Sequence, residues 1–487
     1  MKESITTREA TITTRNISGV LLLRVAQVPF LALYVMLVPR IMGPEIYGEF
    51  AFLISIITIA SSLVNIGIGD IYGRFIPELE ARNEWRSINI LFTNMFALKT
   101  IITVTVTVVL FLMLNLAYGN RFLLGYFMLI AITVMIIDWE SVFYSLLFGL
   151  NKLVKFSLRE PIRRMLSLAL VLILFHYYGL FGAIGATFLV EISMLVLGFF
   201  LTRNYFHFKD FSVNLSLLMP YLKFGFILYV SGFLLIFWQR FGNILIDFLT
   251  KNSGEIAFFD IANNIFLIFM SMTLITINSL IPMFTKFLIT AKEYKIAIWS
   301  NRVIKYMVIL NMIFFSAFVF VGSDIILLLI GSDYAEVFPN AVVLLFCLFP
   351  MTFAQIGFVY SVVYKKPQRY LQALCFAIVT FLLFSIFLIP NYLSLGCSIA
   401  TCASCFAFAL VLIYHFRDKL LTCLKEGFTV ITLGCFIVPL IFFKGQLTTN
   451  FLLMFTFIFA YFLALFATRK LRAEEIKEIF SSLRGDT

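Results

Sequence analysis

Long apolar runs separated by short polar breaks make up the chain. Fourteen stand out, near 17–40, 47–69, 88–115, 122–148, 160–178, 180–201, 221–249, 256–285, 300–321, 338–364, 368–390, 393–415, 427–443 and 449–468. Each is close to the roughly 20 residues a helix needs to cross a bilayer, and the longer ones predict tilt or kinks. The fifth has a basic start, "REPIRRM" (159–165). The runs divide the chain into a tail (1–16), a six-helix bundle (17–201), a connecting loop (202–220), a second bundle (221–415), an extra helix pair (416–468) and a second tail (469–487).

Composition agrees with this pattern. Hydrophobic residues make up 62% of the chain and charged residues 13%, with a mean hydropathy of +1.01. Soluble domains carry about 25% charged residues. The reading is therefore an all-α polytopic membrane protein. The first apolar run is too long, and lacks the small-residue site, for a cleavable signal peptide.

Lysine and arginine set the orientation. With both termini in the cytoplasm, cytoplasmic tails and loops hold 29 of the 37 basic residues, and outer loops hold only Arg40, Arg121, Lys251 and Lys444. The net charge of +11 is then positive-inside bias, and no nucleic-acid partner is expected. The longest inner loop has about 20 residues, so no extramembrane domain is expected either.

The two halves echo each other. "GLFGAIGAT" (179–187) matches "SLGCSIAT" (394–401) at an offset of 214, and Lys152 falls on Lys366 at the same offset. "PEIYGEF" (44–50) pairs with "GEIAFFD" (254–260) at 210, and "IPEL" (76–79) with "IPMF" (281–284) at 205. Four matches in one order predict two six-helix repeats. An even number of helices keeps their orientation parallel, which is an architecture of alternating-access transporters.

Several segments carry a family resemblance. "IMGPEIYGEFAF" (41–52), "NIGIGDIYGRFIPE" (65–78), "YYGLFGAIGATFL" (177–189) and "LLIGSDYAEVFPNAVVLL" (328–345) resemble the polysaccharide (O-antigen type) flippases. These belong to the multidrug/oligosaccharidyl-lipid/polysaccharide exporter superfamily. The resemblance implies a MATE-like arrangement of about 14 transmembrane helices, with two parallel bundles and a C-terminal helix pair. It also implies transfer of an undecaprenyl-pyrophosphate-linked oligosaccharide from the inner to the outer leaflet of a bacterial inner membrane, without enzymatic chemistry. The expected partners are this lipid-linked cargo and membrane lipids, with polysaccharide polymerase and chain-length proteins as candidates. A multidrug-type exporter and a lipid II flippase are the alternatives. A membrane enzyme of polysaccharide assembly would call for a sizeable loop or a clustered acid/base site.

Charges inside apolar runs are the candidate chemistry, because each costs about 2.5 to 3.5 kcal/mol or more at mid-membrane. Arg24, the only charged residue between Asn16 and Pro39, lies about 12 Å along the first helix. It either snorkels to the interface or meets an anionic headgroup, to which a guanidinium can offer two donors. Gln27 and Pro29 lie one turn on. Arg240 sits about 10 residues before the outer end of the seventh run, with Asp247 on the same face two turns later. Lys99 extends the basic set or snorkels. Arg24, Arg240, Lys99 and Gln27 are thus the substrate-binding candidates.

The acids Asp138, Glu140, Glu191 and Asp247 are candidates for charge pairs, with Arg24 or Lys99 among the partners of the first three, or for proton or sodium coupling. Asp138 and Glu140 stand two apart and so point to different faces. Asp70, Arg74 and Glu78 form a solvated or gating face at the inner end of the second run. No other cofactor, catalytic residue or metal site is expected. The three histidines are isolated, and "CASC" (402–405) lies within a span without histidines.

Overall fold

The computed structural model describes residues 2–206, 219–278, 280–291, 293–434 and 445–468. The described residues form helices and the turns between them. In chain order these are α1 (Lys2–Val64), α2 (Ile68–Ala81), α3 (Trp85–Tyr118), α4 (Leu124–Gly149), α5 (Leu153–Ser157), α6 (Arg159–Thr202), α7 (Met219–Thr250) and α8 (Ser253–Asn278). Then come α9 (Leu280–Ile289), α10 (Tyr294–Leu329), α11 (Val337–Phe346), α12 (Leu348–Val363), α13 (Pro367–His415), α14 (Arg417–Gly434) and α15 (Leu447–Ala467). Packing divides the chain into two compact units, residues 1–257 and 258–487.

Three apolar helical stretches are about twice the length of one span: 39 residues in α1, 50 across α5 and α6, and 49 in α13. Each is broken at one residue outside the helical region: Gly43 (φ 75, ψ 163), Gly179 (φ 56, ψ −141) and Leu393 (φ 52, ψ −131). At the last two the chain doubles back. A Cβ on Gly182 would lie 2.0 Å from the Leu174 carbonyl oxygen, and one on Gly396 2.3 Å from that of Leu388. Residues eight apart in a straight helix are separated by about 12 Å. Each break therefore joins two of the predicted spans, as the run boundaries at 178/180 and 390/393 imply. The predicted span 427–443 begins in α14, and its residues 435–443 lie outside the described residues.

The breaks also carry the repeat. Gly179 and Leu393 are 214 apart, as are Asn151 (φ 53) and Lys365 (φ 55). In the second pair of turns, the Lys152 amide donates to the Leu147 carbonyl at 2.9 Å and the Lys366 amide to that of Ser361 at 2.7 Å. Acceptors and donors are again 214 apart. Leu393 adopts a conformation that costs side-chain-bearing residues about 1 to 3 kcal/mol, where the first repeat uses glycine. Leu393→Gly is therefore expected to stabilise the protein by about 1 kcal/mol, read as a higher unfolding temperature in detergent.

In the first unit, α2 shows how sequence selects a face. Ile68, Ile71, Tyr72 and Ile76 are buried, and together with Phe92, Phe143 and Leu146 they form one apolar core. Asp70, Arg74 and Glu78, spaced at i, i+4 and i+8, are exposed on the opposite stripe. Glu78 accepts from Arg82 at 2.6 Å.

Helix α7 packs within the first unit. The Asn243 amide donates to Ser55 Oγ at 2.8 Å, and the Tyr229 hydroxyl to the Leu63 carbonyl at 2.5 Å. The sequence repeat restarts at residue 221, inside α7. Repeat and packing thus divide the chain at different places, because the first helix of the second repeat is bonded to α1.

In the second unit, the Asn311 amide on α10 donates to Thr352 Oγ1 on α12 at 2.8 Å, and the Thr273 hydroxyl donates to Asn311 Oδ1 at 3.2 Å. Cys347, Cys397 and Cys405 are free thiols packed in the interior. Among the described residues, no group of ligating side chains could hold a metal ion.

Candidate functional site

Among the described residues of the first unit, three networks of charges form inside and at the ends of the apolar spans. The first lies between α3 and α4. Lys99 Nζ is 2.6 Å from Asp138 Oδ1, and the two side chains are 0% and 1% exposed. The Thr103 hydroxyl donates to Asp138 Oδ2 at 2.5 Å, and Lys99 donates to Ser141 Oγ at 2.7 Å. An ammonium enclosed in this way has no open side for a cargo. The expected binding role of Lys99 is replaced by a structural one, and its pairing with Asp138 is among those anticipated.

The second network joins α4 and α6. Asp138 and Glu140 do face different ways: Asp138 toward α3, Glu140 toward α6. Arg159 Nε is 2.5 Å from Glu140 Oε1, and Arg163 Nη2 is 3.4 Å from Glu140 Oε2. The same Arg163 nitrogen donates to Glu191 Oε2 at 2.5 Å. Arg163, on the first arm of the Gly179 hairpin, thus bridges a carboxylate on α4 and one on the hairpin's second arm. Arg159 also stacks its guanidinium 5.0 Å from the centre of the Tyr144 ring. Glu140 and Glu191 lie deeper than the cations, with side-chain exposures of 0% and 12% against 19% and 20% for Arg159 and Arg163, while Glu160, 3.8 Å from Arg163, is 40% exposed.

The third network lies at the ends of the helices. Arg121, in the turn between α3 and α4, donates to Asp247 on α7 at 2.5 Å and to Ser253 at the start of α8 at 2.8 Å. It also reaches Glu49 on α1 at 3.3 Å. Partial burial disfavours its charge, but the hydrogen bonds and charges of Asp247 and Glu49 outweigh burial and raise its pKa. Asp247 therefore pairs with Arg121. The pairing with Arg240 considered from helical spacing is replaced by one across 126 residues. Arg240 is half-buried on α7, with contacts of its own. Gln27 is half-buried on α1, and the Arg24 side chain lies outside the described residues.

Arg121, Arg159 and Arg163 are absent from the sequence-derived candidates. Their positions at span ends make them read as loop charges. The available signal was the i, i+4 spacing of Arg159 and Arg163 on one helix face, opposite two glutamates otherwise stranded in apolar runs.

Residues 13–288 match the family described as polysaccharide biosynthesis protein. The chain belongs to the polysaccharide biosynthesis protein family. No curated protein sequence matches the chain. Among solved structures, the lipid II flippase MurJ in an inward closed conformation superposes with a TM-score of 0.69 at 12% identity, over 93% of this chain and 100% of MurJ. An inward-facing multidrug resistance MATE family transporter of the MOP superfamily gives 0.66 at 15% identity, over 81% of this chain and 95% of that one. A MOP superfamily transporter from Pyrococcus furiosus, described as having a binding pocket of reversed polarity, gives 0.52 at 15% identity, over 84% and 93%. This member of the polysaccharide biosynthesis family is thus a multi-pass membrane protein with the fold shared by MATE and MurJ transporters.

Proposed function

We propose that this polysaccharide biosynthesis protein is a flippase for undecaprenyl-pyrophosphate-linked oligosaccharide repeat units, working by alternating access in a bacterial inner membrane toward O-antigen or a similar surface polysaccharide. The observation that carries this reading is the family match over residues 13–288, joined to a fold shared with transporters. The chemistry is consistent with it. A pyrophosphate and its sugars cannot cross hydrocarbon without a large desolvation cost, while the polyprenyl tail can stay in lipid. Arginines within the spans offer the charge-assisted, forked donors that a diphosphate takes.

In this reading Arg24 and Arg240 contact the headgroup at successive depths, and Gln27 supplies a neutral donor beside Arg24. Glu140 and Glu191 are the acids through which a proton or sodium gradient would act. Polymerase and chain-length proteins would receive the translocated unit on the far side. Both termini face the cytoplasm.

In cells lacking the protein, lipid-linked oligosaccharide is expected to accumulate on the inner leaflet. Wild type relieves the accumulation, and Arg24→Ala or Arg240→Ala, at equal membrane abundance, does not. Normal surface polysaccharide with both alanine variants would overturn the headgroup role.

A further inference from the structure

The repeat makes an internal control. At the offset of 214, Glu140, Arg159, Arg163 and Glu191 fall on Ala354, Ala373, Ala377 and Cys405, and all four of the latter are 0% exposed. The same helix crossing is therefore packed in the second unit with small apolar side chains. The fold does not need the charges, which are costly to hold inside apolar spans. A second difference is milder: Asp138 falls on Thr352, which accepts a neutral hydrogen bond from Asn311 at 2.8 Å, and Lys99 falls on the apolar Ile313. At the α4–α6 crossing the second repeat dispenses with polarity at all four positions.

The arrangement of the four charges points to an anion. Glu140 and Glu191 lie beneath. The accessible edge carries three guanidiniums, those of Arg159, Arg163 and Arg164, against one carboxylate, Glu160, which is 3.8 Å from Arg163 and 4.0 Å from Arg164, so the edge an approaching ligand meets is net positive. Arg159 and Arg163 stand one turn apart on one face, with Cβ atoms about 5 to 6 Å apart, so two forks can engage neighbouring phosphate groups. Of the two inner acids, Glu191 is paired with Arg163 and is the more exposed, 12% against 0% for Glu140. Glu140 is held by both arginines and is sealed.

We infer that Arg159 and Arg163 form a diphosphate-binding site in which Glu140 and Glu191 are resident counter-ions, Glu191 being the one the ligand displaces. The inference rests on the reading that the cargo is a lipid-borne diphosphate. With the site empty, the glutamates keep the guanidiniums paired and oriented. When a diphosphate arrives, the fork of Arg163 passes from Glu191 to phosphate oxygens, while Glu140 retains the arginines in place. The exchange replaces one charge-assisted contact by others and needs no unpaired buried cation at any stage.

The test uses the full chain in lipid nanodiscs, with binding of geranylgeranyl diphosphate, its monophosphate and inorganic pyrophosphate measured calorimetrically. Wild type is expected to bind the diphosphates saturably and the monophosphate less well. Arg163→Gln weakens diphosphate binding by at least about tenfold, the scale of a lost charge-assisted fork. Glu191→Gln, by removing the competing acid, tightens it several-fold. A purely structural network would not tighten binding when one of its members is neutralised.

If Arg163→Gln fails to fold, the variant Glu140→Ala/Arg159→Ala/Arg163→Ala/Glu191→Cys carries the test. It installs the side chains of the second repeat and is expected to fold and to lose the site. Diphosphate affinity unchanged in that variant, or weakened by Glu191→Gln, overturns the site. If affinity is unchanged there but lost in Arg24→Ala and Arg240→Ala, the diphosphate cargo stands without this site. Absence of any diphosphate binding in wild type overturns both. Tighter binding of the prenyl form than of pyrophosphate assigns the site to a lipid-borne headgroup, and equal binding assigns it to the diphosphate whatever its carrier.

Discussion

Asp138→Ala is expected to lower the unfolding free energy by about 3 to 5 kcal/mol, the usual consequence of removing one partner of a buried ion pair. The substitution leaves the Lys99 ammonium, 0% exposed, beside Ser141 alone. It also removes the acceptor of the Thr103 hydroxyl. The second repeat supplies the rescue. Lys99→Ile combined with Asp138→Thr installs the second repeat's side chains and removes both buried charges together, so it should cost less than about 1 kcal/mol, a strongly non-additive result. Chemical unfolding of wild type, Lys99→Ile, Asp138→Thr and the double variant in detergent forms the cycle. Equal stability of Asp138→Ala and wild type would mean that the pair is not the enclosed contact described above.

Gly182→Ala and Gly396→Ala are expected to prevent stable accumulation of the protein, or to cost at least about 3 kcal/mol each, the upper end of overpacking effects. A Cβ at either site would fall within 2.0 or 2.3 Å of a backbone oxygen across its hairpin. A backbone atom cannot rotate away as a side chain can, so the two antiparallel helices must separate. Gly185, which has nothing within 4 Å of its Cβ position, is the control, and Gly185→Ala should be silent. Membrane abundance and thermal stability of the three variants decide the matter. Tolerance of both alanines, with the fold intact, would rule out the close hairpins.

The architecture was legible because hydrophobic run length maps directly onto membrane thickness. The tight turns at 179 and 393 fall between runs already separated by polar or helix-breaking residues. The offset of 214 reappears in the backbone, in paired turns and paired hydrogen bonds. The site was less legible. Lys99 and Asp138 were recognisable as partners because both are isolated charges in adjacent spans. The partner of Asp247 was not, since a loop arginine 126 residues away leaves no local spacing to read. Arg159 and Arg163 counted as cytoplasmic loop charges, because "REPIRRM" merges the loop with the head of the fifth span. Which glutamates they would meet depends on how α4 and α6 cross, and helical periodicity does not encode that. The boundary of the first unit likewise follows from hydrogen bonds between α7 and α1.

The central claim concerns movement of a lipid-linked headgroup between leaflets, and reconstitution addresses it most directly. Purified protein would be placed in vesicles containing a fluorescently labelled polyprenyl-diphosphate oligosaccharide, with a membrane-impermeant quencher added outside. The account predicts that the protected inner-leaflet fraction becomes quenchable in vesicles containing wild type, and far more slowly in vesicles containing Arg163→Gln or no protein. Transfer no faster with wild type than in protein-free vesicles, with a proton or sodium gradient imposed in either direction, would contradict it.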